Sequence, residues 1–214
     1  MPHQERLILQ ILGELVKHNC YEIVHLGAGE PGVPGRDVRG WSTQIHRLQR
    51  EPYTTARGTE AKRLVRRFNV IYSDIAYTKE RIIRYSEKDE TKLRSEEHFD
   101  CSDLEGNLSG KQSYEKIDAT NINLPDSSVD FVIAVGLFSK QVTSIWENLE
   151  CVLSEIKRIM KESGQTLLTL RAEYFDDFNL IVSSAGLSIK ILDSSNDALG
   201  FRDRPGQRMI IQLT

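Results

Sequence analysis

The segment that most restricts the fold is Val129–Val135, VDFVIAV, in which six of seven residues are apolar and Asp130 is the exception. A half-buried strand alternates apolar and polar residues, and this one does not. A run this short, rich in β-branched residues and led in by the turn-forming LPDSS of residues 124–128, reads as a strand buried on both faces. Such strands belong to parallel sheets covered by helices on either side.

The remaining periodicity agrees. Residues Leu7 to Val16 have helical spacing, with Leu7, Ile8, Ile11, Leu12, Leu15 and Val16 on one face. Glu22–Leu26 and Asn69–Ser73 read as strands, and Tyr114–Ile117 as a short third one. Trp41–Arg50, Thr59–Phe68 and Lys79–Glu87 read as helices, the last with Ile82 and Ile83 facing inward. The strongest helix spans Val142–Met160 and is expected to stop at Gly164. A fifth strand at Gln165–Arg171, a helix at Glu173–Ala185 stopped by Gly186, and strands at Leu187–Leu192 and Gln207–Leu213 complete the chain. Alternation of this kind predicts an α/β fold, a doubly wound and mostly parallel sheet of seven strands. No helix separates the last two strands, so the final one is expected to run antiparallel at or near an edge.

At 214 residues the chain suits one well-buried domain, 1–214, with excursions at about 34–67 and 89–111. No apolar run reaches the roughly 18 residues of a membrane span, and no secretory signal opens the chain. Cys20, Cys101 and Cys151 are odd in number and widely spread, which speaks against a disulfide framework and for a cytoplasmic protein. His3, His18, His25, His46 and His98 lack metal-ligand spacing, so no metal is expected. The net charge of −3 argues against a dedicated nucleic-acid binder. Charge is nevertheless uneven: Arg36 to Arg67 carries nine Lys or Arg residues against three acids, a stretch suited either to a solvated face or to an anionic partner.

Three places carry chemistry. Gly27-Ala28-Gly29-Glu30 follows the first strand directly, and glycines there let backbone approach a nucleotide-like ligand. Asp74 ends the second strand, where a carboxylate can accept hydrogen bonds from both hydroxyls of a ribose or can cap the next helix. Asp118-Ala119-Thr120 follows the third strand, where an acid can meet an adenine amino group. The spacing of GAGEPG, residues 27–32, also satisfies the glycine pattern of nicotinamide enzymes. Their ribose acid lies about 20 residues beyond the turn, whereas Asp74 lies 47 after Gly27, and Pro31 and Pro34 block a helix at the turn itself.

The run DATNINLPDSSVDFVIAV, Asp118 to Val135, resembles the middle of a class I S-adenosylmethionine-dependent methyltransferase. The segment SEIKRIMKESGQTLLTL, Ser154 to Leu170, is similar to the helix, turn and strand that follow in that family. The resemblance extends in order from about Tyr21 to Leu192 and implies a Rossmann-like fold, S-adenosylmethionine as cofactor and methyl transfer as activity. It implies a cofactor site made of Gly27, Ala28, Gly29, Glu30, Asp74, Ile75, Asp118, Ala119, Val135 and Gly136. The chain departs from the family where an acid usually stands two residues before the first glycine, for His25 is there, and where Glu30-Pro31 replaces the third glycine. A small-molecule acceptor is expected, because only the excursions are left to recognise it; no membrane is expected as partner, and the sequence sets no oligomeric state. An RNA methyltransferase and a cofactor-binding relative without transfer activity are the alternatives. In-line placement can drive methyl transfer without a protein base, and no catalytic residue is assigned; His46 and Tyr53 in the excursion are candidates for whom packing or surface roles are the ordinary reading.

Overall fold

The computed structural model describes residues 21–28, 68–84, 112–134, 137–138, 143–193 and 208–214, together with Ile11 and Glu14, both helical. The excursions 34–67 and 89–111 lie outside these residues, as do the helices expected at Trp41–Arg50 and, apart from Phe68, Thr59–Phe68. Seven strands, β1 (Glu22–Leu26), β2 (Asn69–Ser73), β3 (Gln112–Glu115), β4 (Val129–Ala134), β5 (Met160–Arg171), β6 (Ile189–Asp193) and β7 (Arg208–Leu213), form one sheet in the order β3-β2-β1-β4-β5-β7-β6. The pairs β3–β2, β2–β1, β1–β4 and β4–β5 are parallel. The last strand, β7, is antiparallel to both β5 and β6 and lies next to the edge, as the missing crossover helix requires. Among the described residues no helix is long and apolar enough to cross a membrane.

All six residues of β4 are buried, as its unbroken apolar run demands. Val24 and Leu26 of β1, Val132 and Ala134 of β4, and Leu168 and Leu170 of β5 share one face of the sheet. Against that face pack two helices, α3 (Leu149–Ile159) and α4 (Phe175–Ser184), through Leu149, Val152, Leu153, Ile156 and Ile159 of the first and Phe178 and Val182 of the second. The steps of three, one, three and three along α3 keep these side chains on one stripe, each contributing about 1.5–3 kcal/mol by burial. Ile23, His25, Tyr72, Phe131 and Ile133 alternate with the first set and are buried on the opposite face.

Four expectations need correction. The long helix is two helices, α2 (Thr143–Glu147) and α3, broken at Asn148, whose φ of −120° and ψ of 25° leave the helical region. Asparagine competes for backbone hydrogen bonds and so suits a break. Gly164 does not stop α3, because Met160 already turns extended. The terminal carbonyls of α3 are satisfied instead by the turn before β4: Ser127 N–H donates to Arg158 O at 2.9 Å and Ser128 N–H to Ile159 O at 2.9 Å. β5 therefore begins at Met160, opposite Val129, and bulges until Gln165 faces Phe131; Gly164 lies in that bulge, where a Cβ would come within 2.8 Å of Lys161 O. Third, Ile83 is 54% exposed rather than facing inward, while Ile82 is half-buried, so helical residues 79–84 (α1) present one apolar side chain to solvent. Fourth, β3 runs two residues earlier than its apolar content suggests, because Lys116 to Asn121 bend into a turn closed by a bridge between Asp118 and Asn121.

Candidate functional site

Sheet order reverses between β1 and β4, so the crevice beyond the carboxyl ends of β3, β2, β1 and β4 is where an open α/β sheet binds ligands. At the end of β1, Gly27 adopts φ of +68°, a left-handed conformation that favours glycine. A Cβ added there would meet Leu137 Cδ1 at 3.2 Å, so the turn after β4 closes on the turn after β1. Ala28, buried, donates its N–H to Ser73 O at 2.8 Å, and Ser73 Oγ donates back to His25 O at 2.9 Å. These two bonds tie the glycine turn to the end of β2.

The next strand end is tied in the same way, since Asp74 N–H donates to Glu115 O at 3.3 Å. Asp74 Oδ1 accepts Ala76 N–H at 2.8 Å and its carbonyl accepts Tyr77 N–H at 3.2 Å, forming a tight turn. Asp74 is not the helix cap: Thr78 is, its Oγ1 accepting Arg81 N–H at 3.3 Å and its carbonyl Ile82 N–H at 3.0 Å. That separates the carboxylate from the start of α1. Ile75 beside it is 59% exposed, an apolar side chain held out at the same edge of the sheet.

Asp118 is exposed and Ala119 buried. Asp118 Oδ1 accepts both Thr120 N–H at 2.9 Å and Thr120 Oγ1–H at 2.7 Å, and these bonds hold its carboxyl below the usual carboxylate range. Gly27, Ala28, Asp74, Ile75, Asp118 and Ala119 thus share one edge of the sheet on three neighbouring strands. Gly29, Glu30, Val135 and Gly136 lie outside the described residues, as do His46 and Tyr53.

Three features escaped the sequence reading. His25, the residue standing where an acid was expected, is fully buried, and among the described residues neither ring nitrogen has a hydrogen-bond partner. Burial drives its pKa down to about 3, so the ring is neutral at pH 7. Asp130, the lone acid in VDFVIAV, accepts Tyr21 N–H at 3.0 Å and Glu22 N–H at 2.9 Å and pairs with Lys161 Nζ at 2.8 Å. It pins the start of β1 to β4, at the edge opposite the site. A carboxylate inside an apolar strand is the signal for such partners. The third is Arg158, which reaches the backbone carbonyls of Ile122 and Leu124 from α3.

Residues 94–168 match the family described as a methyltransferase domain. No curated protein matches the chain. Among solved structures it is similar to the citrinin polyketide synthase CMeT domain, with a TM-score of 0.57 and 14% identity over 97% of this chain. The chain spans about half of that relative's length, 51%. It is also similar to a SAM-dependent methyltransferase from Aquifex aeolicus, with a TM-score of 0.51 and 14% identity, covering 100% of this chain and 93% of the other. An S-adenosylmethionine-dependent methyltransferase from Clostridium acetobutylicum gives 0.55 and 11%, with 99% and 91% covered. At these identities the likeness is one of fold.

Proposed function

We propose that this chain is a class I S-adenosylmethionine-dependent methyltransferase and that it passes the methyl group to a small-molecule acceptor, a reading supported by the methyltransferase-domain match and the shared fold. The observation that carries the cofactor side is the pair of hydrogen bonds, Ala28 to Ser73 and Asp74 to Glu115, that joins the ends of β1, β2 and β3 into one edge bearing a left-handed glycine and two carboxylates. The residues present fit an adenosyl ligand: a turn without a Cβ for close backbone approach, an acid outside the helix cap for the ribose hydroxyls, an exposed isoleucine for the face of a base, and a second acid for its amino group. In this reading Gly27, Ala28, Gly29 and Glu30 serve the methionine end, Asp74 and Ile75 the ribose and one base face, and Asp118 and Ala119 the adenine, while Val135 and Gly136, next in sequence after β4, complete the cofactor-binding set.

The cofactor, when bound, supplies a methyl group on a positively charged sulfur. The protein's part is then to hold the acceptor in line and to keep water away, for which placement matters more than a base. The acidic net charge supports a small molecule over a nucleic acid. Acceptor recognition is assigned to the excursions 34–67 and 89–111 of the single domain. The basic stretch Arg36 to Arg67 is what favours the RNA alternative.

Calorimetry with S-adenosylmethionine, S-adenosylhomocysteine and NADH in parallel tests the cofactor half. Binding of the first two and not the third is expected; binding of NADH alone would overturn it. Methyl transfer from labelled cofactor into a small-molecule extract, against total RNA as the competing acceptor, tests the other half. Label found only in RNA would replace the small-molecule reading.

A further inference from the structure

We propose that Glu155 and Arg158, side by side on α3, are positioning residues for the adenine end of the cofactor, acting by holding the Asp118–Ile122 turn in place. This rests on the cofactor reading above, which sets Asp118 beside the adenine. Cys151, Glu155 and Arg158 follow one another at steps of four and three and so share a face of α3. Each meets the segment that leads from Asp118 to β4. Cys151 Sγ–H donates to Thr120 O at 3.6 Å. Glu155 Oε2 accepts Ile122 N–H at 2.7 Å, and Arg158 Nη2 donates to Ile122 O at 2.6 Å, so both backbone groups of Ile122 are taken by this pair.

The pair itself is a two-pronged fork, with Arg158 Nε on Glu155 Oε1 at 2.8 Å and Arg158 Nη2 on Glu155 Oε2 at 2.9 Å. Arg158 Nη1 continues to Leu124 O at 2.9 Å and to the Asp126 carboxylate. The Arg158 bond holds the Glu155 carboxyl below its ordinary range. One guanidinium therefore binds two carbonyls and two carboxylates, a set that lysine cannot reproduce with a single ammonium.

Among the described residues Asp118 has no comparable anchor of its own. It is exposed, its Oδ1 is spent on Thr120 within the turn, and the turn closes on itself through Asn121 N–H to Asp118 O at 3.0 Å. Beyond the burial of Ile117, Ala119 and Ile122 in the core, the polar bonds that fix where this small closed turn stands are those of Cys151 at Thr120 and of the Glu155–Arg158 pair at Ile122. Loosening the pair leaves Asp118 chemically intact and displaces it.

The test compares S-adenosylhomocysteine with S-inosylhomocysteine, in which a carbonyl replaces the adenine amino group, by calorimetry on the full chain. Wild-type protein is expected to prefer the adenosyl ligand by roughly tenfold, one charge-assisted hydrogen bond. In Arg158→Gln and Arg158→Lys the adenosyl ligand is expected to weaken by roughly tenfold while the inosyl ligand changes little, so that the preference collapses. Equal weakening of both ligands, or a preference that survives in folded variants, overturns the proposal, because a merely structural role lowers stability without touching the choice between them. If Arg158→Gln does not fold, Glu155→Gln, close in shape, is measured for the same ratio: a collapsed preference supports the proposal and a surviving one overturns it. Wild-type protein that binds neither ligand overturns the cofactor reading itself. Wild-type protein that binds both equally overturns the assignment of Asp118 to adenine. Either result takes this proposal with it and is distinguishable from a failure in the variants alone.

Discussion

Acidification should destabilise this protein through His25 before most of its carboxylates titrate. Its ring is fully buried and its pKa is lowered from 6.5 to about 3, with desolvation as the cause. The unfolded chain binds a proton at this residue below pH 6.5, while the native state refuses it until about pH 3. Between those values the unfolded state holds more protons, so stability rises with pH and is lost as pH falls. The slope is about 1.4 kcal/mol per pH unit, which amounts to about 2 kcal/mol between pH 6.5 and pH 5. Against a typical net stability of about 5–15 kcal/mol this is a large share.

His25→Leu replaces the titrating ring with an apolar side chain of similar bulk and so removes two buried nitrogens that lack partners among the described residues. At pH 7.5 the variant should match or exceed the wild type, because an unpaired buried polar atom costs about 1–3 kcal/mol. At pH 5 it should be ahead by about a further 2 kcal/mol. Urea denaturation at half-unit steps from pH 7.5 to 5 reads this as the shift in midpoint at constant slope. Parallel pH profiles for the two proteins would show that His25 is either exposed to protonation in the native state or partnered, and the desolvation reasoning would fall.

Other perturbations follow from the same geometry. With Asp74 proposed as the acceptor of both ribose hydroxyls, Asp74→Ala should weaken S-adenosylhomocysteine at least about tenfold by calorimetry; unchanged affinity defeats the ribose assignment. Asp118→Ala should weaken the cofactor more than the acceptor in steady-state kinetics, and the reverse order would remove Asp118 from the adenine. Gly27→Ala forces a Cβ onto a φ of +68° and against Leu137 at 3.2 Å, so it should cost about 1–2 kcal/mol in chemical denaturation; a neutral result would mean that the turn relaxes freely. Ile156→Ala empties a fully buried position of the helical stripe and should cost about 2–5 kcal/mol, with a loss under 1 kcal/mol counting against the packing described.

Much of the fold was legible because its signals are local. β1, β2 and the start of β4 fall where composition put them, since each is a short apolar run bounded by a turn. The boundaries that moved are those decided by distant partners. Nothing near Gly164 shows that the last carbonyls of α3 are satisfied by Ser127 and Ser128, about thirty residues earlier in the chain. With those carbonyls satisfied the helix needs no glycine to end it, and β5 starts at once. The break at Asn148 is hidden for a related reason: the apolar spacing continues across it, so periodicity sees one helix where the backbone makes two.

The candidate site was legible as strand ends rather than as a constellation. Glycine after β1, an acid after β2 and an acid beyond β3 are each ordinary, and only topology makes them neighbours, by placing β3, β2, β1 and β4 side by side in parallel. What periodicity could not supply is the set of polar side chains that fix those ends. Asp130 holds the far edge of β1, Ser73 ties β1 to β2, and the Glu155–Arg158 pair ties the Asp118 turn to α3. Each reaches across tens of residues in sequence to a backbone group. Buried polar atoms without such partners are costly, so an acid inside an apolar strand, or an arginine one turn beyond a glutamate on an amphipathic helix, marks a tether whose target only the fold reveals. His25 is the contrasting case, a buried polar ring near the end of β1 with no hydrogen-bond partner among the described residues. A group of that kind is tolerated at neutral pH only because it can shed its charge, which is why the ring that replaces the expected acid should govern this protein's response to acid.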